Sequence, residues 1–237
     1  MPSTSTPDQQ AFLDSVLALA PGLVVLDCDG TLWAGDSGAD FFYWELERGL
    51  VPPEVERWAR DRYQQYLAGR VSEEQMCGEM VAMHAGREEA RLVAAAREFF
   101  EREIAGRIFP EMLELAVRLR AAGAELWAVS STNNWVVEAG VQRFGIPPER
   151  VLAATVRVDG GIVTGTLLRV PSGEGKAAAL REVIQRPVDA GFGNSIHDAA
   201  MLRLVRHPFC VNPTAELAAL ARENTWPVYW PAGTQAG

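Results

Sequence analysis

Val24-Val25-Leu26-Asp27-Cys28-Asp29-Gly30-Thr31 decides the fold of this 237-residue chain. Leu23 to Leu26 is a continuous apolar run that stops on two carboxylates, as a strand buried on both faces of a parallel sheet does. Asp27 and Asp29 then stand at the carboxyl end of that strand, where open α/β sheets bind ligands. Two carboxylates one residue apart repel each other unless a cation lies between them, and a hard, oxygen-seeking ion such as Mg²⁺ suits that place. Gly30 permits a sharp turn, and the Thr31 hydroxyl can bond back into the loop. The bland reading of the same string is an Asx-type turn with solvated acids.

The order of elements outside this stretch extends the reading. Met1 to Pro7 is rich in Ser, Thr and Pro and is expected to fray, and Asp8 to Ala20 has the spacing of a short helix. Ala34 to Arg107 carries helical patterns alone, near 39–48, 53–67, 72–84 and 87–104. Gly49, Gly69 and Gly86 follow three of them, and Ser72-Glu73-Glu74-Gln75 has the form of a capping box. From Pro110 onward strands alternate with helices, with a hairpin expected about Asp159-Gly160-Gly161. The pattern predicts an α/β fold: a Rossmann-like, mostly parallel sheet core (1–33 and 108–237) with an inserted α-helical domain (34–107).

Composition narrows the chemistry. Hydrophobic residues make up 48% and charged residues 22%, as in soluble globular proteins. With 22 Lys+Arg against 31 Asp+Glu the formal charge is −9, which argues against nucleic acid and anionic membranes as partners. Three widely spaced cysteines, Cys28, Cys77 and Cys210, fit reduced thiols in a cytoplasmic setting. Met1 to Gln10 has no Lys or Arg, and no stretch approaches the length of a membrane span.

Three later motifs should place polar groups at the same edge of the sheet. Ser130, with Ser131, Thr132 and Asn133, ends the strand Leu126-Val129 and opens a helix; it fits a phosphate cradle or ordinary capping. Lys176 lies in the first turn of a helix, where the dipole disfavours it, so an anion is its expected neighbour; alone, a solvated lysine is the simpler reading. Gly191-Phe192-Gly193-Asn194-Ser195-Ile196-His197-Asp198 ends a strand, and His197 is expected to face solvent or cap a neighbour.

Together these motifs resemble the haloacid dehalogenase superfamily, most of whose members are Mg²⁺-dependent phosphatases, and specifically its phosphoserine-phosphatase-like proteins with a small helical cap. The resemblance implies that Asp27 is a nucleophile forming an aspartyl-phosphate and Asp29 the general acid and base. Ser130, Ser131 and Gly30 would meet the substrate, Lys176 would hold the nucleophile and phosphoryl group, and Asp27, Asp29, Asn194 and Asp198 would hold Mg²⁺. Asn194 departs from the family's usual acid. An acid at position 29 argues for a phosphatase over a dehalogenase, whose halide leaves without a proton. Asp36, nine positions after Asp27, matches an acid that reads a substrate amine, or it caps a helix. Trp33 is expected near a substrate alkylammonium. The segment 75–80 has no Arg for a substrate carboxylate, so phosphoserine itself is in question. A phosphomutase, or a weak or inactive protein that binds a phosphorylated metabolite, are the alternatives.

Overall fold

The computed structural model describes residues 6–234. The first five residues of the expected frayed start lie outside that range. Thr6 and Pro7 are ordered: Thr6 caps the first helix, α1 (Pro7–Leu17), by a reciprocal capping box with Gln9.

β1 (Leu23–Leu26) is the centre of a seven-stranded sheet. It pairs in parallel with β2 (Glu125–Asn133) on one side and β5 (Ala190–Gly193) on the other. β3 (Val151–Asp159) lies beyond β2, and β4 (Ile162–Arg169) closes that edge. β6 (His207–Val211) and the two-residue β7 (Val228–Tyr229) complete the other edge. Every pairing is parallel except β3 with β4, the expected hairpin. Alternation along β1 explains its apolar run: Val24 and Leu26 join a large core on one face, while Leu23 and Val25 join a second cluster on the other.

The register fixes the site. Leu26 lies beside Ala128 of β2 and Phe192 of β5, so Asp27, Ser130 and Asn194 all emerge at one edge. α6 (Pro110–Ala121), α7 (Asn134–Val141), α8 (Glu174–Val183), α9 (Ala199–Leu202) and α10 (Ala215–Asn224) form the crossovers and the helix before β7. β2 runs four residues beyond the expected end, with a register shift against β3 between Val129 and Asn133. After β5 the chain makes a 3₁₀ turn at Ile196–Asp198 that leads into the short α9.

Between β1 and α6 the chain is helical. α2 (Ser37–Glu47), α3 (Pro53–Leu67) and α4 (Glu73–Ala82) share a small cluster of Phe42, Leu46, Tyr63 and Met76. α5 (Glu89–Phe99) runs on as π and 3₁₀ turns to Arg107, and its Leu92, Phe99 and Phe100 join the main core. The capping box expected at Ser72 forms by half. Ser72 accepts from the Gln75 N–H, but the Gln75 side chain turns to Glu79 at 2.9 Å. No described helix is long and apolar enough to cross a membrane.

Candidate active site

Asp27 is the pivot. The first residue after β1, it turns one carboxylate oxygen to the Lys176 ammonium at 2.6 Å and the other to the Thr31 hydroxyl at 2.7 Å. Lys176 also donates to Asp198 at 2.5 Å and to the Val129 carbonyl at 3.2 Å. All three ionisable groups are buried. Burial above all, and then the Asp198 charge, push the Asp27 carboxyl up to about 7 against the pull of Lys176 and Thr31. Burial alone would lower the Lys176 ammonium; the charges and hydrogen bonds of Asp198 and Asp27 outweigh it and hold the lysine above its ordinary value.

Asp29 is fixed more completely. One oxygen accepts from the Trp33 indole N–H at 2.6 Å and the Ser37 N–H at 2.8 Å, and the other from the Thr132 hydroxyl at 2.7 Å. The expectation for Trp33 is thereby corrected. Its ring is wholly buried against Phe100 and Phe144, and only its N–H reaches toward the site, through Asp29. It cannot touch a substrate ammonium. Phe41, Phe42 and Trp44 are likewise core residues.

Gly30 is also corrected: it serves the loop rather than the substrate. It has φ +74°, and a Cβ there would lie 1.8 Å from the Asn194 side-chain nitrogen. Only glycine lets the chain turn there with Asn194 so close.

A cavity of about 230 Å³ opens above these groups, lined by Asp27, Asp29, Ser130, Ser131, Lys176 and Asn194 on the sheet side. Ser130 accepts from the Thr132 N–H at 3.2 Å, and Asn133 caps α7. The helical side contributes Asp36, Tyr63, Tyr66, Glu73, Met76 and Cys77. Asp36 caps α2 by accepting from the Ala39 N–H at 2.8 Å and also faces the cavity. Burial, followed by repulsion from Asp29, pushes its carboxyl up to about 6.

The metal set also changes. Asp198 is fully buried; one oxygen meets Lys176 and the other accepts from the Asn194 and Ser195 N–H groups, both at 2.9 Å. Its lone pairs are spent on the lysine and on its own loop, so it is not a direct ligand in this arrangement. Among the described residues no group of three His, Cys, Asp or Glu side chains is spaced to hold a metal. Hard oxygen donors do line the cavity: the Asp27 carboxylate and Asn194, whose side-chain amide has no hydrogen-bond partner among the described residues. One ammonium shared by Asp27 and Asp198 leaves negative charge over, and these donors fit Mg²⁺.

Sequence reasoning missed Glu73 and the two tyrosines. Glu73, the first residue of α4, pairs with His197 at 2.7 Å and accepts from the Ser172 hydroxyl at 2.6 Å. In the sequence it is one of two acids in a helical first turn, with nothing to separate it from Glu74.

Comparison with known proteins agrees with this architecture. Residues 24–203 match the haloacid dehalogenase-like hydrolase family. A histidinol-phosphatase of Neisseria meningitidis serogroup C is 29% identical over 217 residues, covering 87% of this chain and 97% of its own. A phosphoserine phosphatase of Mycobacterium tuberculosis is 31% identical over 149 residues, 60% of this chain but 48% of its own length. A protein of unknown function from Bordetella pertussis Tohama I has a similar structure, with a TM-score of 0.75 at 23% identity and coverage of 87% and 97%. For a probable phosphoserine phosphatase of Vibrio cholerae the score is 0.63 at 17% identity, covering 92% of this chain and 68% of that one. At such identities the structural likenesses establish the fold.

Proposed function

The chain belongs to the haloacid dehalogenase-like hydrolase family, and we propose that within it this protein is a Mg²⁺-dependent phosphatase of small phosphomonoesters. The observation that carries the reading is Asp27, a buried strand-end carboxylate gripped by Lys176 and Thr31 while facing the cavity. Both helical and sheet sides line that cavity, so residues 34–107 act as a cap over a core of 1–33 and 108–237. Free Cys28, Cys77 and Cys210 suit a reducing cytoplasm.

Asp27 attacks phosphorus in line with the ester oxygen and forms an aspartyl-phosphate, dividing one difficult displacement into two easier ones. Asp29 gives the leaving alkoxide its proton and then takes one from the water that hydrolyses the intermediate. Lys176 holds Asp27 in line and balances charge on the phosphoryl oxygens, which the Ser130 and Ser131 hydroxyls receive. Asp27, the Asp29 carbonyl and Asn194 would hold Mg²⁺, which would supply positive charge to the transferring group.

The cavity also favours a class of leaving group. Among the described residues its lining has no Arg, Lys176 is engaged by two carboxylates, His197 is paired with Glu73, and Asp36 lies on the wall. A substrate carboxylate has no free cationic partner there, whereas an ammonium meets Asp36. Histidinol phosphate, which carries an amine and no carboxylate, is therefore preferred over phosphoserine. The test is phosphate release from both esters and from neutral esters, with and without Mg²⁺, using Asp27→Asn as control. Release that needs metal and Asp27, and is fastest with histidinol phosphate, supports the reading. Equal release from wild type and Asp27→Asn would falsify it.

A further inference from the structure

Helix α4 supplies a wall of the cavity through Met76, Cys77 and Met80. Its first residue reaches across to the sheet side with both carboxylate oxygens. One accepts from the Ser172 hydroxyl at 2.6 Å, the other pairs with His197 Nε2 at 2.7 Å. Ser172 lies in the turn that leads into α8 and Lys176, and His197 in the turn that joins Asn194 to Asp198. A single side chain thus spans three segments far apart in sequence.

We propose that Glu73 is a positioning residue, a clasp that keeps the α4 wall, the Lys176 turn and the Asn194 turn in one arrangement around the bound ester. Its consequence for turnover rests on the phosphatase reading; its structural part does not. An acid in the first turn of a helix is favourable through the dipole alone, but that role needs no partner. Here both oxygens are committed to other loops, and the side chain is 20% exposed, so the bonds are partly shielded from water. Burial works against the charge of Glu73, yet the bonds from His197 and Ser172 prevail and hold its carboxyl below the usual range. Charge-assisted bonds of this kind are the stronger ones, and positions of reacting groups are sensitive to small displacements.

Cys77 provides a readout independent of turnover. It lies one turn after Glu73, half-buried on the cavity wall, whereas Cys28 and Cys210 are fully buried in the core. The experiment is site-resolved alkylation of the full chain with iodoacetamide, for wild type, Glu73→Ala, Glu73→Gln, His197→Ala and the double Ala variant. With Glu73→Ala, Cys77 should react about tenfold faster, the scale of losing one charged and one neutral hydrogen bond at a partly exposed site. Glu73→Gln, which can still accept from Ser172, should show a smaller rise. The double variant should match Glu73→Ala, because loss of Glu73 already breaks the pair that His197→Ala would remove. Cys28 and Cys210 should stay protected throughout.

An unchanged Cys77 rate in Glu73→Ala overturns the clasp. So does a parallel rise at all three cysteines, which marks general destabilisation. Turnover of p-nitrophenyl phosphate is the second reading: kcat should fall about tenfold in Glu73→Ala with a smaller change in KM. A wild type that releases no phosphate counts against the phosphatase, while the alkylation pattern still decides the clasp.

Discussion

The end of β1 and the start of α4 face each other across one cavity and are held in opposite ways. Around Asp27 and Asp29 the polar groups are enclosed and have partners at 2.5–2.8 Å: Lys176, Thr31, Asp198, Trp33 and Thr132. On the helical side α3 buries only Ala59 and Tyr63 of its fifteen residues, and α4 buries Met76, Gly78 and Val81. The sheet side gains precision because dense packing and short hydrogen bonds hold the Asp27 and Asp29 carboxylates in place. α3 is the weakly anchored part of that side and can open locally at lower cost, whereas α2 and α5 pack into the main core. In the proposed function, chemistry common to all phosphomonoesters falls on the rigid half, and contact with the variable leaving group on the helical one.

The contrast is broken most severely at Lys176. Lys176→Met leaves Asp27 and Asp198 buried together without their cation, which costs about 3–5 kcal/mol. Urea unfolding should show that loss, and phosphate release should vanish with it. Asp27→Asn separates the two effects: it keeps a similar shape and removes one of the two repelling carboxylates. Turnover should fall at least about a thousandfold, as for loss of a nucleophile, while stability holds or rises. A variant as active as wild type places the nucleophile elsewhere.

Gly30→Ala tests the turn that joins the two halves of the proposed metal site. The residue would need φ near +74° and would push Asn194 aside. The expected cost is about 1–3 kcal/mol of backbone strain, with a weaker response to Mg²⁺ in a titration of activity. Trp33→Phe is milder: the ring packing stays, but Asp29 loses the indole N–H at 2.6 Å. Turnover should drop roughly tenfold, with kcat affected more than KM and a stability change of about 1 kcal/mol. An unchanged kcat would separate Asp29 from any dependence on its tryptophan.

Legibility in the sequence follows the same division. The β1 stretch and the order of strands and helices are readable because buried strands impose apolar runs. The structure gathers Asp27, Asp29, Ser130, Lys176 and Asn194 at one cavity, but the residues alone leave Ser130 between cradle and cap and make a solvated lysine the simpler reading of Lys176. The position of Trp33 beside the motif does not say which way its ring points; the packing of Phe100 and Phe144, more than sixty residues away, decides that. Asp198 reads as a ligand in the sequence because its charge is visible there and its two amide donors are not. Glu73 is hidden for a related reason: its partners, Ser172 and His197, lie about a hundred residues on.

The smallest expected effect bears on the helical side. Asp36 has a carboxyl pushed up to about 6 by burial and by Asp29, so it is charged above that pH and becomes neutral below it. If it meets the substrate ammonium, the advantage of histidinol phosphate over a neutral ester should be full near pH 7.5 and shrink as pH falls through about 6. Asp36→Asn should abolish that pH trend and lower the advantage about threefold to tenfold, since an exposed-edge ion pair contributes roughly 0.5–1.5 kcal/mol. Its cap on α2 survives in part, because Asn also accepts from the Ala39 N–H. The ratio of kcat/KM values for the two esters, measured across pH, removes effects common to both substrates, including any titration at Asp27. A ratio that is flat with pH and unchanged in Asp36→Asn would leave Asp36 as a helix cap and move recognition of the leaving group to the tyrosines and Glu73.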